Sequence, residues 1–183
     1  DLIIGDPYCL PHLVRLMGKT IDGLKRRLLR QNDMPGKKIR KGALMVVVML
    51  FLYGAVPLMI LVVCYRYNTA AGVLLESLMC WQMLAAKSLK KESMKVYKSL
   101  AADDVERARA DVSMIVGRDT DVLDKEGIIR AAVETVAENT SDGVIAPLFY
   151  MIVGGGWLAM AYKAVNTMDS MVGYRNEKYV YFG

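Results

Sequence analysis

The sequence predicts an all-α, polytopic helical membrane protein with a helical cytoplasmic segment between its spans, and three observations predict it. Residues 43–63, ALMVVVMLFLYGAVPLMILVV, run for 21 positions without a charge, and about 20 apolar residues suffice to cross the hydrocarbon layer. A second mostly apolar run extends from Ala70 to about Leu89. No stretch combines strand alternation with turn chemistry. With 54% hydrophobic residues and a mean hydropathy of +0.26, the chain is more apolar than an ordinary soluble domain. The length of the first run favours a span over the buried core helix of a soluble protein.

Residues 1–42 form a basic arm, with ten Lys/Arg against four acids. It abuts a span and lacks interleaved aromatics, so anionic lipid and topology control are the expected uses, and nucleic acid is not. The chain opens on Asp1 and closes on Gly183, and both ends read as cut from a longer protein. No signal peptide is recognisable. Cys9, Cys64 and Cys80 lack CxxC spacing, which supports neither a disulfide framework nor a zinc cluster and leaves free thiols.

Residues 43–88 read as a transmembrane hairpin turning at Tyr65-Arg66-Tyr67-Asn68-Thr69. Basic residues crowd its outer ends (Lys37, Lys38, Arg40, Lys41; then Lys87, Lys90, Lys91, Lys95, Lys98), and only Arg66 marks the tip. The positive-inside rule puts both ends in the cytoplasm. Glu76 is the one ionisable group in the second run. It is either functional by default or near enough to the tip to reach the interface. Gly54 and Pro57 are candidates to kink the first helix.

Residues 89–143 read as cytoplasmic helices. Leu89, Val96, Tyr97 and Leu100 give one amphipathic face; Asp103 or Asp104 caps a helix through Val112; Asp124 caps another from Lys125 to Asn139. Residues 101–142 hold eleven acids against five Lys/Arg, so an acidic segment answers the basic arm. A third apolar segment, 144–165, is interrupted by Gly154-Gly155-Gly156 and has Pro147 near its start. Polar motifs flank it, the second within 166–183. If the two act together, the segment is re-entrant or broken.

Arg130, Glu134, Glu138 and Asp142 recur every four residues, so the first three share a helix face and the fourth meets its end. Such a set can hold Mg2+ through one or two carboxylates while Arg130 reaches phosphate oxygens. The alternative is a solvated face with an Arg130 to Glu134 pair. Asn139 to Gly143 reads as a turn before a helix start at Pro147, whose N–H groups favour anions. Gly117-Arg118-Asp119-Thr120, Asn166 to Ser170 and Gly173 to Asn176 offer similar chemistry, each alone as often a turn or a cap. His12 is the single histidine, which excludes most histidine-based metal sites. There is no Walker A loop, GxGxxG or nucleophile elbow.

Several of these motifs occur together: Gly5-Asp6-Pro7 with Pro11-His12 and Val14-Arg15, Val116 to Thr120, RAAVETVAENTSDGVIAPLFY at 130–150 and YKAVNTMDSMVGYRNEKY at 162–179. In this combination and order the chain resembles the CobD/CbiB family of cobalamin-biosynthesis membrane proteins. The resemblance implies one membrane-embedded domain in the cell membrane, multi-pass, with the acidic motif on the cytoplasmic side. It implies an adenosylcobinamide-phosphate synthase, which joins aminopropanol or its phosphate to adenosylcobyric acid by an ATP-dependent amide bond, with Mg2+ and ATP required. Carried onto matching positions, it implies a Mg-ATP and substrate surface. Glu134, Glu138 and Asp142 lie on metal, Arg118, Arg130 and Arg175 on phosphates beside Asp119 and Thr120, and Asn139, Asn166 and Asp169 on the reacting groups. Leu13 stands where the family commonly has proline. A second copy of the chain and other late-pathway membrane enzymes are the candidate protein partners. The alternatives are a noncatalytic relative resembling the regulatory AmpE proteins, and a transporter, which Glu76 and the glycine-broken segment encourage.

Overall fold

The computed structural model describes residues 12–30, 32–117 and 119–183. The Gly5-Asp6-Pro7 motif, Cys9 and Arg118 lie outside them. The described residues are helical, with no strand among them. They divide into two compact units, one of Leu84–Ala146 and one of residues 12–83 with Pro147–Gly183.

In the larger unit, His12 caps α1 (Leu13–Leu28) by accepting the N–H of Val14. Met17 and Ile21 of α1 are fully buried, while Arg15, Lys19, Arg26 and Arg27 stay exposed. Pro35 sits in the first turn of α2 (Pro35–Leu50), where its missing N–H costs nothing. A π-turn at Phe51–Ala55 joins α2 to α3 (Val56–Tyr67), giving a helical run of 33 residues. The wide turn sits just before Pro57 and accommodates a ring that would clash in a regular helix. Gly54 has a second use: a Cβ there would lie 3.3 Å from that of Ala161, so its absence lets α9 (Gly156–Val172) approach.

The hairpin tip is tighter than expected. Asn68 alone separates α3 from α4 (Thr69–Met83), and its side chain accepts the N–H of Ala71 at 3.1 Å, capping the returning helix. Helix α4 stops at Met83, short of the expected Leu89.

The third apolar stretch is not a straight crossing. α8 (Ala146–Gly154) and α9 are separated by Gly155 at φ +78°, a conformation open essentially to glycine alone. The rings of Tyr150 and Tyr162 stack with centroids 4.8 Å apart. Twelve residues of continuous helix would separate them by about 18 Å of rise, so the chain bends back at Gly155.

The core among α1, α2, α4 and α9 is built largely from methionine: Met17, Met45, Met49, Met79, Met83, Met160 and Met168 are all buried. Ala159 and Ala164 provide close helix approach. After α9, Tyr179 and Phe182 bury their rings in the same core. The helical stretches Pro35–Tyr67 and Thr69–Ala101 are long and apolar enough to cross a bilayer by length and composition. Only 28% and 17% of their apolar windows is buried, whereas the core helix of a soluble protein would be mostly covered.

The smaller unit packs α5 (Ala86–Ala101), α6 (Val105–Ser113) and α7 (Lys125–Thr140) around Val96, Ala108, Val112, Ile128 and Ala131. Asp103, at φ +59°, ends α5. The N–H groups of Asp103 and Asp104 bond back to Leu100 and Ser99, the paired bonds of a Schellman motif. Asp104 then caps α6 and Asp124 caps α7, as the sequence predicts.

Two expectations here are corrected. Tyr97 is 63% exposed rather than part of the buried face; that face centres on Val96, Ser99 and Leu100, and Tyr97 lies a quarter-turn away. Residues 139–143 are not a turn. The chain stays helical through a second π-turn, Ser141–Ile145, into α8, so Pro147 opens no helix with free N–H groups.

Candidate functional site

On α7, Arg130, Glu134 and Glu138 occupy one face and are all exposed, and Asp142 is half-buried in the π-turn that follows. Asn139 is exposed and donates its amide to the carbonyl of Thr135 at 2.9 Å. The sequence placed these groups by spacing, and the helix keeps the first three together. Among the described residues, no three His, Cys, Asp or Glu side chains are gathered to hold a metal ion.

In the loop before α7, Asp119 is exposed and turns the chain by accepting the N–H of Asp121 at 3.0 Å. Thr120 is only 3% exposed and donates its hydroxyl to the carbonyl of Arg109 at 3.3 Å. Arg109 donates in turn to the carbonyl of Leu123 at 2.7 Å. Thr120 thus ties the loop to α6, with its hydroxyl turned inward. Arg109 escaped the sequence reading because its guanidinium bonds a backbone carbonyl, which leaves no side-chain pattern.

In the larger unit, α9 carries Asn166, half-buried, and Asp169, exposed, three residues apart on one face. Lys163 precedes them by the same spacing and donates to Asn166 Oδ1 at 3.3 Å. This cation was missed, although the i, i+3, i+6 spacing could have found it. Gly173 ends α9 by donating to the carbonyl of Asp169 at 2.8 Å. A Cβ at Gly173 would lie 2.4 Å from the Asp169 carboxylate, so this glycine leaves the carboxylate room over the helix end. Arg175 follows, exposed.

Glu76 sits elsewhere in that unit, on α4. Its Oε1 accepts the N–H of Gly156 at 3.0 Å, and its Oε2 accepts the hydroxyl of Tyr65. The carboxylate caps the first turn of α9, where N–H groups lack helical acceptors.

Outside the apolar runs, specific pairs hold several acids ionised. Lys41 and Lys37 grip Asp33 and lower its pKa, chiefly through the hydrogen bond from Lys41. Lys25 lowers Asp22, and Lys125 lowers Asp103, in each case chiefly by a hydrogen bond.

A family model described as CobD/Cbib protein matches residues 1–183. Among curated relatives, the chain is 45% identical over 183 residues to cobalamin biosynthesis protein CobD of Halalkalibacterium halodurans, covering 100% of this chain and 56% of that protein. It is 47% identical over 190 residues to CobD of Geobacter metallireducens, covering 100% of this chain and 57% of that one. Cobalamin biosynthesis protein CbiB of Salmonella typhi is 45% identical over 181 residues, with 98% and 56% covered. The chain therefore spans a little over half the length of these relatives. No solved structure matches it.

Proposed function

The chain belongs to the CobD/Cbib protein family, and from that premise we propose that the whole protein works in cobalamin biosynthesis as a membrane-bound amide-forming synthase. Its substrates are adenosylcobyric acid and aminopropanol or aminopropanol phosphate, with Mg-ATP as cosubstrate. The observation that carries the reading is the family match over the full chain, joined to an exposed face on which Arg130, Glu134 and Glu138 stand together.

The chemistry asked of the site is moderate. A carboxylate oxygen of the corrinoid takes the γ-phosphoryl group from ATP, with ADP leaving. The amine then attacks the acyl phosphate, forms the C–N bond, gives up a proton and expels phosphate. Mg2+ would offset phosphate charge, held by one or two of Glu134, Glu138 and Asp142. Arg130 and Arg175 supply cations for phosphate oxygens. Asn166 and Asp169 orient the amine or the carboxylate, and Lys163 is a further cation on their stripe.

The protein is read as multi-pass in the cell membrane, with 43–88 as a spanning hairpin whose basic ends face the cytoplasm. The bend at Gly155, which lies within the larger unit, supports a re-entrant third segment. The transporter alternative drew on Glu76, whose carboxylate is accounted for by its bonds to Gly156 and Tyr65.

The test supplies the full-length protein in lipid with adenosylcobyric acid, aminopropanol phosphate and Mg-ATP, and looks for the amide by mass spectrometry. Product is expected; none, with active controls, sinks the synthase reading. Glu138→Gln and Asp142→Asn should each lower turnover with membrane insertion intact, and wild-type rates in both would return the face to plain solvation.

A further inference from the structure

We infer that Glu76 is a positioning residue: by hydrogen bonding the first turn of α9 it fixes that helix along the bundle, and with it the place where Asn166 and Asp169 are presented. The inference rests on the reading of those two residues as part of the substrate surface.

The need for such a device follows from the break at Gly155. An uninterrupted helix would be held lengthwise by its own preceding turns, but α9 begins afresh after a residue at φ +78°. The N–H of Gly156 has no acceptor inside its own helix, and Glu76 Oε1 takes it at 3.0 Å. Helix α9 then runs 17 residues without a break, so its polar end, about 15–20 Å along the axis, moves with its anchored end.

The surroundings are shaped to the carboxylate from three directions. A Cβ on Gly155 would stand 2.2 Å from Glu76 Oε1, so only glycine leaves room for it. A Cβ on Gly156 would meet Met79, Cys80 and Glu76 at 3.2–3.3 Å, so α4 and α9 touch nearly backbone to backbone. On α4 itself, a Cβ on Gly72 would press into the ring of Tyr65 at 2.7–2.9 Å. Its absence lets that ring lie across α4, and its hydroxyl reaches Glu76 Oε2. Both carboxylate oxygens are thereby engaged, which is how a carboxylate is tolerated in a run whose neighbours Leu74 and Leu78 are exposed and apolar.

The experiment compares Glu76→Leu, Glu76→Gln and Tyr65→Phe in the full-length protein in lipid nanodiscs. One readout is hydrogen–deuterium exchange over residues 156–159 and 166–172. The other is kcat and KM in the amide-forming assay. Leu removes both bonds and should raise exchange in both peptides by about 10-fold or more. It should lower kcat by a similar factor. Gln keeps an acceptor for Gly156 and a polar partner for Tyr65, so it should restore both readouts to within about 3-fold of wild type. Where the Leu variant fails to insert, Tyr65→Phe should give the same pattern at smaller amplitude. Wild-type exchange over 166–172 in Glu76→Leu, or a Gln variant as disturbed as the Leu variant, overturns the inference. If the wild-type protein itself makes no amide, the synthase reading fails, and the exchange result alone decides whether Glu76 holds α9.

Discussion

Gly155→Ala is the sharpest test of how the broken segment is held. The native φ of +78° lies in a region that costs a non-glycine residue of order 1–3 kcal/mol. The new methyl would also stand 2.2 Å from Glu76 Oε1, so the carboxylate must swing away. Its bond from Gly156 would be lost, worth about 1.5–3 kcal/mol for a charged acceptor. Together these give a loss of roughly 2.5–6 kcal/mol. The two parts separate in a double-mutant cycle with Glu76→Ala. That single change loses the same bond, and its own cost cancels from the coupling. In its background Gly155→Ala should cost the strain alone, leaving a coupling of about 1.5–3 kcal/mol. Denaturant unfolding of the reconstituted protein, followed by tryptophan fluorescence, measures all four corners, with Trp157 beside the site as reporter. Additivity within about 0.5 kcal/mol would refute the contact between Glu76 and the α9 terminus.

Gly42→Ala places a Cβ 2.0 Å from the backbone oxygen of Phe182; the C-terminal segment must lift, exposing Tyr179 and Phe182 at up to about 1.5–3 kcal/mol each, and limited proteolysis should cut after Val172 in the variant and not in wild type. Ser99 is 5% exposed and donates to Asp111 Oδ2; Ser99→Ala should destabilise the smaller unit by about 1–3 kcal/mol, read from its thermal melt, and an unchanged melt would show that the carboxylate finds another donor. Asp33 and Asp103 have pKa values depressed below 3.8 by lysines, so the unfolded chain binds more protons in that window. The stability they contribute is present above pH 3.8 and lost as pH falls through their folded values; melts across this range should show a shallower acid decline in Asp33→Asn and Asp103→Asn than in wild type.

What could be read from the sequence was what is encoded locally. The hairpin follows from charge-free length, and the caps at Asp104 and Asp124 follow because a capping carboxylate bonds an N–H three residues away. The shared face of Arg130, Glu134 and Glu138 is likewise a matter of helical spacing. Distant pairings were not legible: Gly156 lies 80 positions from Glu76, and nothing near either residue announces the other. The methionine core escaped for a different reason. Met is flexible and fills irregular gaps between helices, so its positions follow the shapes of neighbours rather than a regular period.

The two π-turns explain the most consequential misreading and bear on the site. Proline directly follows the first residue after each: FLYGA is followed by Val56-Pro57 and SDGVI by Ala146-Pro147. In sequence, a glycine and a proline four or fewer residues apart punctuate helices, and the second example also carries Asn139, Thr140, Ser141 and Asp142, all turn formers. The chain instead widens one turn ahead of the proline, which relieves the clash of its ring while preserving helical bonding. Instead of accepting N–H groups ahead of them in a turn, Asn139 and Thr140 donate their side chains to the carbonyls of Thr135 and Val136, one helical turn back. The polar run is therefore displayed on a helical scaffold rather than a mobile loop. That matters for chemistry, because side chains on a rigid element hold a reacting geometry with less entropy to lose than side chains on a turn.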